Sequence, residues 1–181
     1  ISTIIKRNYV EKRDKEAVKR DFKIVKLLND KVEKIVSQEN TGAEKSKLIS
    51  LSDDSGLQIS TLNGDPGIYS ARWAGKNKDF KLAIKKVYSK LKKKKKLNKI
   101  NSARFYCSLA IAFPNGMHKT FRGIVNGKIS KEPKGNNGFG YDPIFIPNGY
   151  KKTFGEMKAC LKDKISHRYK AFNKIKRYFK Y

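Results

Sequence analysis

The chain has 181 residues and carries 43 Lys and Arg against 16 Asp and Glu, a formal charge of +27. That length supports one domain with a substantial core, and 38% hydrophobic with 33% charged residues suits a soluble globular protein with a heavily charged surface. No apolar run approaches a membrane span and no signal-peptide core opens the chain, so a cytoplasmic protein with no membrane partner is expected. Cys107 and Cys160 stand far apart without metal-ligand spacing, which predicts two reduced thiols with no catalytic role. The positive charge pulls towards polyanions. It is mostly lysine, spread along the chain, with few interleaved aromatics before the last helix, so only non-specific, salt-sensitive nucleic-acid binding is expected.

In chain order, Ile1–Ile5 reads as a short strand, and Val18, Phe22 and Val25 recur at helical spacing in a very charged segment. Leu48, Ile49 and Leu51 form an apolar run that predicts a buried strand, with Ser52-Asp53-Asp54-Ser55-Gly56 following at its carboxyl end. Ligands of open α/β sheets bind at that end, and two adjacent acids there are costly without a cation or a proton-transfer task. On those residues alone the segment also reads as a plain turn. Asn63-Gly64-Asp65-Pro66-Gly67 is a run of turn formers leading into Ile68 to Gly75.

A helix is predicted from about Lys78 to Leu91, with Phe80, Ala83, Ile84, Val87 and Leu91 on one core-facing side. Lys92 to Lys96 reads as a solvated loop. Ala103, Phe105, Cys107, Leu109, Ile111 and Phe113 alternate with more polar neighbours, which predicts a long strand. A turn at Pro114-Asn115-Gly116 returns the chain as a strand over Lys119 to Ile129, where Gly123 and Gly127 permit a bend or bulge and His118 is exposed.

The second chemical stretch is Lys131 to Pro143, whose Gly138-Phe139-Gly140-Tyr141-Asp142-Pro143 lets backbone approach a ligand and offers a ring for stacking on a base; by itself it also reads as an ordinary turn with a core phenylalanine. Ile144 to Pro147 reads as a short buried strand. The third is Lys162-Asp163-Lys164-Ile165-Ser166-His167-Arg168, where Lys162 and Arg168 supply cationic donors and His167 a donor or acceptor, although a histidine beside an arginine at a helix start also reads as structural. Phe172, Ile175 and Phe179 mark a final amphipathic helix.

Asp-Asp-Ser-Gly-Leu at 53–57, Leu-Asn-Gly-Asp-Pro-Gly-Ile-Tyr-Ser-Ala-Arg-Trp-Ala-Gly at 62–75, Gly-Phe-Gly-Tyr-Asp-Pro at 138–143 and Lys-x-x-Ile-Ser-His-Arg at 162–168 together resemble the non-canonical purine nucleoside triphosphate pyrophosphatases, the inosine triphosphatase or Ham1-like family. The resemblance covers Leu48 to Tyr181 and implies an α/β Ham1-like fold: a central twisted mixed sheet flanked by helices, with two lobes around a cleft. It implies a single domain over 1–181 with an atypical part at 1–46. The implied activity is Mg²⁺-dependent hydrolysis of ITP, dITP and XTP to the monophosphate and pyrophosphate by a homodimer.

The residues it implies are Asp54 as general base, Asp54, Asp53 and Glu33 as Mg²⁺ ligands, and Ser55 at the phosphate. Phe139 would stack on the purine, while Gly140, Tyr141 and Asp142 through their backbone, and Lys162, His167 and Arg168, read its edge. The N-terminal stretch departs from the family pattern. Asn8 and Lys12 are the nearest match to its phosphate loop, with Lys6 where a hydroxyl residue belongs, and Lys34 and Ile35 follow Glu33 where Asn and Ala belong. Two other readings stay open on those grounds: an inactive nucleotide-binding relative that has lost its phosphate loop, and a basic nucleic-acid-binding protein.

Overall fold

A computed structural model describes residues 27–28, 31–32, 43 and 47–179. The expectations for Ile1–Ile5, Val18–Val25, Asn8, Lys12 and Glu33 lie outside the described residues. The described residues fall into two units, one holding those up to residue 51 together with 111–118 and one holding 52–110 together with 119–179. In the first unit the described backbone includes a two-residue antiparallel pair, β1 (Leu27–Leu28) with β2 (Lys31–Val32), and a tight turn in which Phe113 N–H donates to Met117 O at 2.8 Å. Every described candidate site residue belongs to the second unit.

The sheet runs in the order β3 (Ser50–Ile59), β4 (Asn101–Ala112), β5 (His118–Ile129), β6 (Phe145–Pro147). Among the described residues it is a four-stranded antiparallel sheet. The alternation expected of β4 holds along its whole length: Ala103, Phe105, Cys107, Leu109 and Ile111 point inward, and β5 answers with Phe121, Val125 and Ile129. The apolar run expected before the acidic pair does not behave as a buried strand. Leu48 is 40% and Ile49 60% exposed, and β3 starts only at Ser50. The strand buries its other end, Leu57 and Ile59, so Asp53 and Asp54 sit in mid-strand rather than at its carboxyl terminus.

Helix α1 (Phe80–Lys93) has the face the periodicity predicted, burying Ala83, Ile84, Val87 and Leu91. It starts where Asp79 accepts hydrogen bonds from the free N–H groups of Lys81 and Leu82, at 2.9 and 3.3 Å. Lys92 and Lys93 end this helix, and Lys92 to Lys96 are all exposed. The core it covers joins Leu57 and Ile59 of β3 to Phe105, Val125, Phe145 and Phe154. Phe105, Phe145 and Phe154 form a ring cluster with centroids 4.6 to 6.0 Å apart.

After β6 come α2 (Ala159–Ile165) and α3 (His167–Phe179), separated by Ser166 in an extended conformation. Ser166 Oγ accepts from Tyr169 N–H at 3.2 Å, starting α3 as a cap. The buried side of α3 is His167, Ala171 and Ile175; Phe179, expected on that side, is 52% exposed. Gly123 explains how α3 comes so near the sheet. The strand runs unbroken through it, and a Cβ there would stand 1.9 Å from His167 O and 2.5 Å from Ala171 N. Gly123→Ala therefore forces α3 off β5, and such overpacking costs about 1–3 kcal/mol. A urea melt of that variant is expected to show a lower midpoint; an unchanged midpoint would contradict this packing.

Candidate active site

Successive residues of a strand point to opposite faces of the sheet. Asp53 and Ser55 share the face of Leu57 and Ile59, whereas Asp54, which is exposed, shares the other with Gln58. Gln58 Oε1 accepts from Arg104 Nε of β4 at 2.9 Å. The two adjacent acids are thus in different surroundings.

The Asp53 side chain is 6% exposed. Its Oδ1 accepts from Ser55 Oγ at 2.6 Å and lies 3.5 Å from Cys107 Sγ; its Oδ2 accepts from Arg168 Nε at 3.1 Å. Burial raises its pKa, but the Arg168 charge and the hydrogen bonds from Ser55 and Arg168 outweigh burial and hold the carboxyl below its ordinary value. Asp54 goes the other way: partial desolvation first, then the charge of Asp53, raise it, against a backbone hydrogen bond from Ser55. Burial and the Asp53 charge also push the Cys107 thiol up to about 12, so this cysteine stays a neutral thiol.

Arg168 leads from the acid to the ring. Its Nη1 donates to His167 Nε2 at 3.0 Å, and its Cζ lies 5.0 Å from the centroid of the Phe139 ring. A guanidinium only donates, so His167 Nε2 accepts and the proton of the neutral ring sits on Nδ1. Burial, then the neighbouring Arg168, push the His167 pKa well below 6.5. The ring stacks on Phe105 at 4.7 Å and 8°, and its buried Nδ1 has no hydrogen-bond partner among the described residues.

Phe139 is 47% exposed, with Lys162 Nζ 5.1 Å from its ring centroid. Lys162 and Asp142 form a buried ion pair, their side chains 8% and 4% exposed. The same Asp142 oxygen accepts from Phe139 N–H at 2.7 Å. Burial pushes the Asp142 carboxyl up, opposed by the Lys162 charge and these hydrogen bonds. The loop can fold over this pair only because Gly138 has φ +79° and no side chain; a Cβ there would lie 2.2 Å from Asp142 Oδ2.

Behind the loop, Thr153 and Glu156 cap one another, with Thr153 N–H donating to Glu156 Oε2 at 2.8 Å and Glu156 N–H to Thr153 Oγ1 at 3.2 Å. Thr153 Oγ1 also donates to Lys134 O at 2.7 Å, which fixes the root of the loop. Thr-x-x-Glu is a capping-box pattern, so this clip was readable from sequence.

Tyr141 spends its side chain on the scaffold. It is 2% exposed, meets Phe80 edge-on at 5.5 Å, and donates from its hydroxyl to Ser70 O at 2.9 Å. Ser70 in turn accepts from Leu57 N–H at 2.9 Å, tying the segment after β3 to both β3 and the glycine-rich loop. Gly140, between Phe139 and Tyr141, has φ +68°. The structure therefore brings Asp53, Ser55, Phe139, Asp142, Lys162, His167 and Arg168 into one connected network and places Asp54 across the sheet. The links Asp53–Arg168 and Tyr141–Ser70 have no signal in the sequence, since they join residues 115 and 71 positions apart.

These parts define an α/β protein with an exposed strand carboxylate and, on the opposite sheet face, an aromatic ring flanked by two cations. The chain belongs to the Ham1 family, whose family model matches residues 2–178. It is 48% identical over 134 residues to the dITP/XTP pyrophosphatase of Caulobacter vibrioides, covering 74% of this chain and 68% of that protein. It is 49% identical over 125 residues to the dITP/XTP pyrophosphatase of Bacillus subtilis, covering 69% and 62%. Among solved structures it resembles the Staphylococcus aureus Ham1 protein, with TM-score 0.66 and 40% identity over 72% of this chain and 66% of that one. A HAM1 protein from Coxiella burnetii gives TM-score 0.70 and 38% identity over 75% and 69%. The matched stretch thus spans about two thirds of these relatives, 62% to 69% of their length. No helix among the described residues is long and apolar enough to cross a membrane.

Proposed function

We propose that this protein hydrolyses non-canonical purine nucleoside triphosphates, ITP, dITP and XTP, to the monophosphate and pyrophosphate, and so removes deaminated purines from the nucleotide pool. The observation that carries the proposal is the likeness, at 48% identity, to an enzyme named for dITP and XTP. The geometry is consistent with it: the half-exposed Phe139 ring offers a stacking surface to a base. Arg168 beside that ring donates to the 6-oxo group of inosine or xanthine, whereas the 6-amino group of adenine would bring a donor against a donor.

Asp54 takes the catalytic role in this reading. Its carboxylate orients and deprotonates the water that attacks the triphosphate. Mg²⁺ is the proposed cofactor. Among the described residues no group of three His, Cys, Asp or Glu could hold a metal ion, but Mg²⁺ is commonly held by one or two carboxylates with waters and substrate phosphates. Asp54 fits that pattern and Asp53 does not, because its two oxygens already serve Ser55, Cys107 and Arg168. When bound, the ion would neutralise charge on the phosphates as the α–β anhydride breaks. Ser55 donates to Asp53 and so contributes to holding the strand segment in shape. A homodimeric, cytoplasmic state is part of the same proposal.

Pyrophosphate release by the purified protein with Mg²⁺ is expected to be fast from ITP and XTP, with little from ATP. Equal release from ATP and ITP would contradict the base preference. No release from any of them, in a folded sample that binds inosine monophosphate, would favour the inactive nucleotide-binding reading.

A further inference from the structure

We propose that Asp53 is a positioning residue for base selectivity rather than a metal ligand; this rests on the nucleotide-hydrolase reading above. Three observations carry it. Asp53 lies on the opposite sheet face from Asp54, so one ion held at Asp54 does not meet the Asp53 oxygens without breaking the strand's alternation. Its carboxylate is buried and holds Arg168 through Nε, with Ser55 fixing the other oxygen. Arg168 is also held by His167 Nε2 and lies against Phe139, so the guanidinium plane is set on three sides.

Five N–H groups belong to a guanidinium. Nε–H goes to Asp53 and one Nη1–H to His167, leaving three without a partner among the described residues. Because Nε and Nη1 are both fixed, the Nη2 pair has one direction to donate in, beside the ring on which a base would stack. A flexible arginine would donate to many acceptors in many poses. An arginine clamped at two nitrogens donates in one plane and rejects a base that presents a donor there. Asp53 also supplies the negative charge that lets a cation stand in a half-buried position beside Lys162.

The test is a double-substitution cycle read on ligand preference. Inosine monophosphate and adenosine monophosphate are titrated calorimetrically into the protein in the presence of EDTA, which removes any contribution from metal. The natural protein is expected to prefer the inosine nucleotide. Asp53→Asn is expected to cut that preference about tenfold and Arg168→Ala by at least as much, while Asp53→Asn in the Arg168→Ala background has no further effect, because Asp53 acts through Arg168.

Alongside, the Mg²⁺ concentration for half-maximal ITP hydrolysis is expected to rise only slightly in Asp53→Asn, the effect of losing a charge next to Asp54 and not that of losing a ligand. An unchanged nucleotide preference in Asp53→Asn, or a large rise in the Mg²⁺ requirement, overturns the proposal. If Asp53→Asn does not fold, Ser55→Ala, which removes only the 2.6 Å bond onto Asp53, should lower the preference in the same direction by a smaller factor; no change in it also overturns the proposal. A natural protein that binds neither monophosphate and hydrolyses no triphosphate refutes the underlying functional reading instead.

Discussion

Asp54→Asn is expected to lower kcat for ITP hydrolysis by roughly 10²- to 10⁴-fold, the range general-base catalysis contributes, with the protein still folded. The substitution is isosteric, and Asp54 is exposed on β3, where no packing depends on its charge. Loss should appear in kcat together with a higher Mg²⁺ requirement, because in this reading the same carboxylate acts on the attacking water and holds the ion. The sign of the pH dependence follows from the same group. A base works when deprotonated, so activity is lost as pH falls and Asp54 takes up a proton; in the metal-free protein desolvation and then Asp53 hold its pKa above the ordinary 3.8. In the metal-free protein a carboxyl titration followed by NMR should place Asp54 above that value, and Asp53→Asn should bring it down by removing the neighbouring charge. Near-natural turnover in Asp54→Asn would remove it as the base.

Lys162→Met should destabilise the protein by about 3–5 kcal/mol, the cost of removing one partner from a buried ion pair. What remains is Asp142, with a side chain 4% exposed, still accepting from Phe139 N–H but without its cation. Set against a total stability of about 5–15 kcal/mol, this is a large share. For a chain of this size it corresponds to roughly 6–20 °C in Tm, measurable by calorimetry or circular dichroism. Replacing both partners, Asp142→Asn with Lys162→Met, should recover part of the loss, since no charge is then left buried. An unchanged Tm in Lys162→Met would mean that the pair is open to solvent. Because Asp142 holds Phe139 through its backbone, the single variant should also loosen the ring and raise KM for ITP.

Much of this was legible in the sequence because the signals are local. Period two along Ala103 to Ile111 set β4, and period 3.6 over Phe80 to Leu91 set α1. The four motif segments led to the family, and the family match covers nearly the whole chain. Apolar character alone does not predict burial at the ends of elements. Leu48, Ile49 and Phe179 are exposed, and Ala171, too small to stand out in the pattern, is fully buried on α3. Gly123 and Gly127 suggested a bend, whereas Gly123 serves a contact made 44 and more residues later, by His167 and Ala171.

The sequence by itself determined which chemistry is present: a strand with two acids, a glycine-rich loop with one phenylalanine, and a Lys, His and Arg segment, each set by neighbours in the chain. Only the tertiary structure decided how that chemistry is divided. Alternation along β3 turns Asp53 inward and Asp54 outward, and the arrival of α3 over Gly123 sets Arg168 against Asp53. The physical reason is that a carboxylate's role depends on its partners and its desolvation. Both come from residues far away in sequence, so two identical neighbouring letters become a buried anchor below its ordinary pKa and an exposed acid above it.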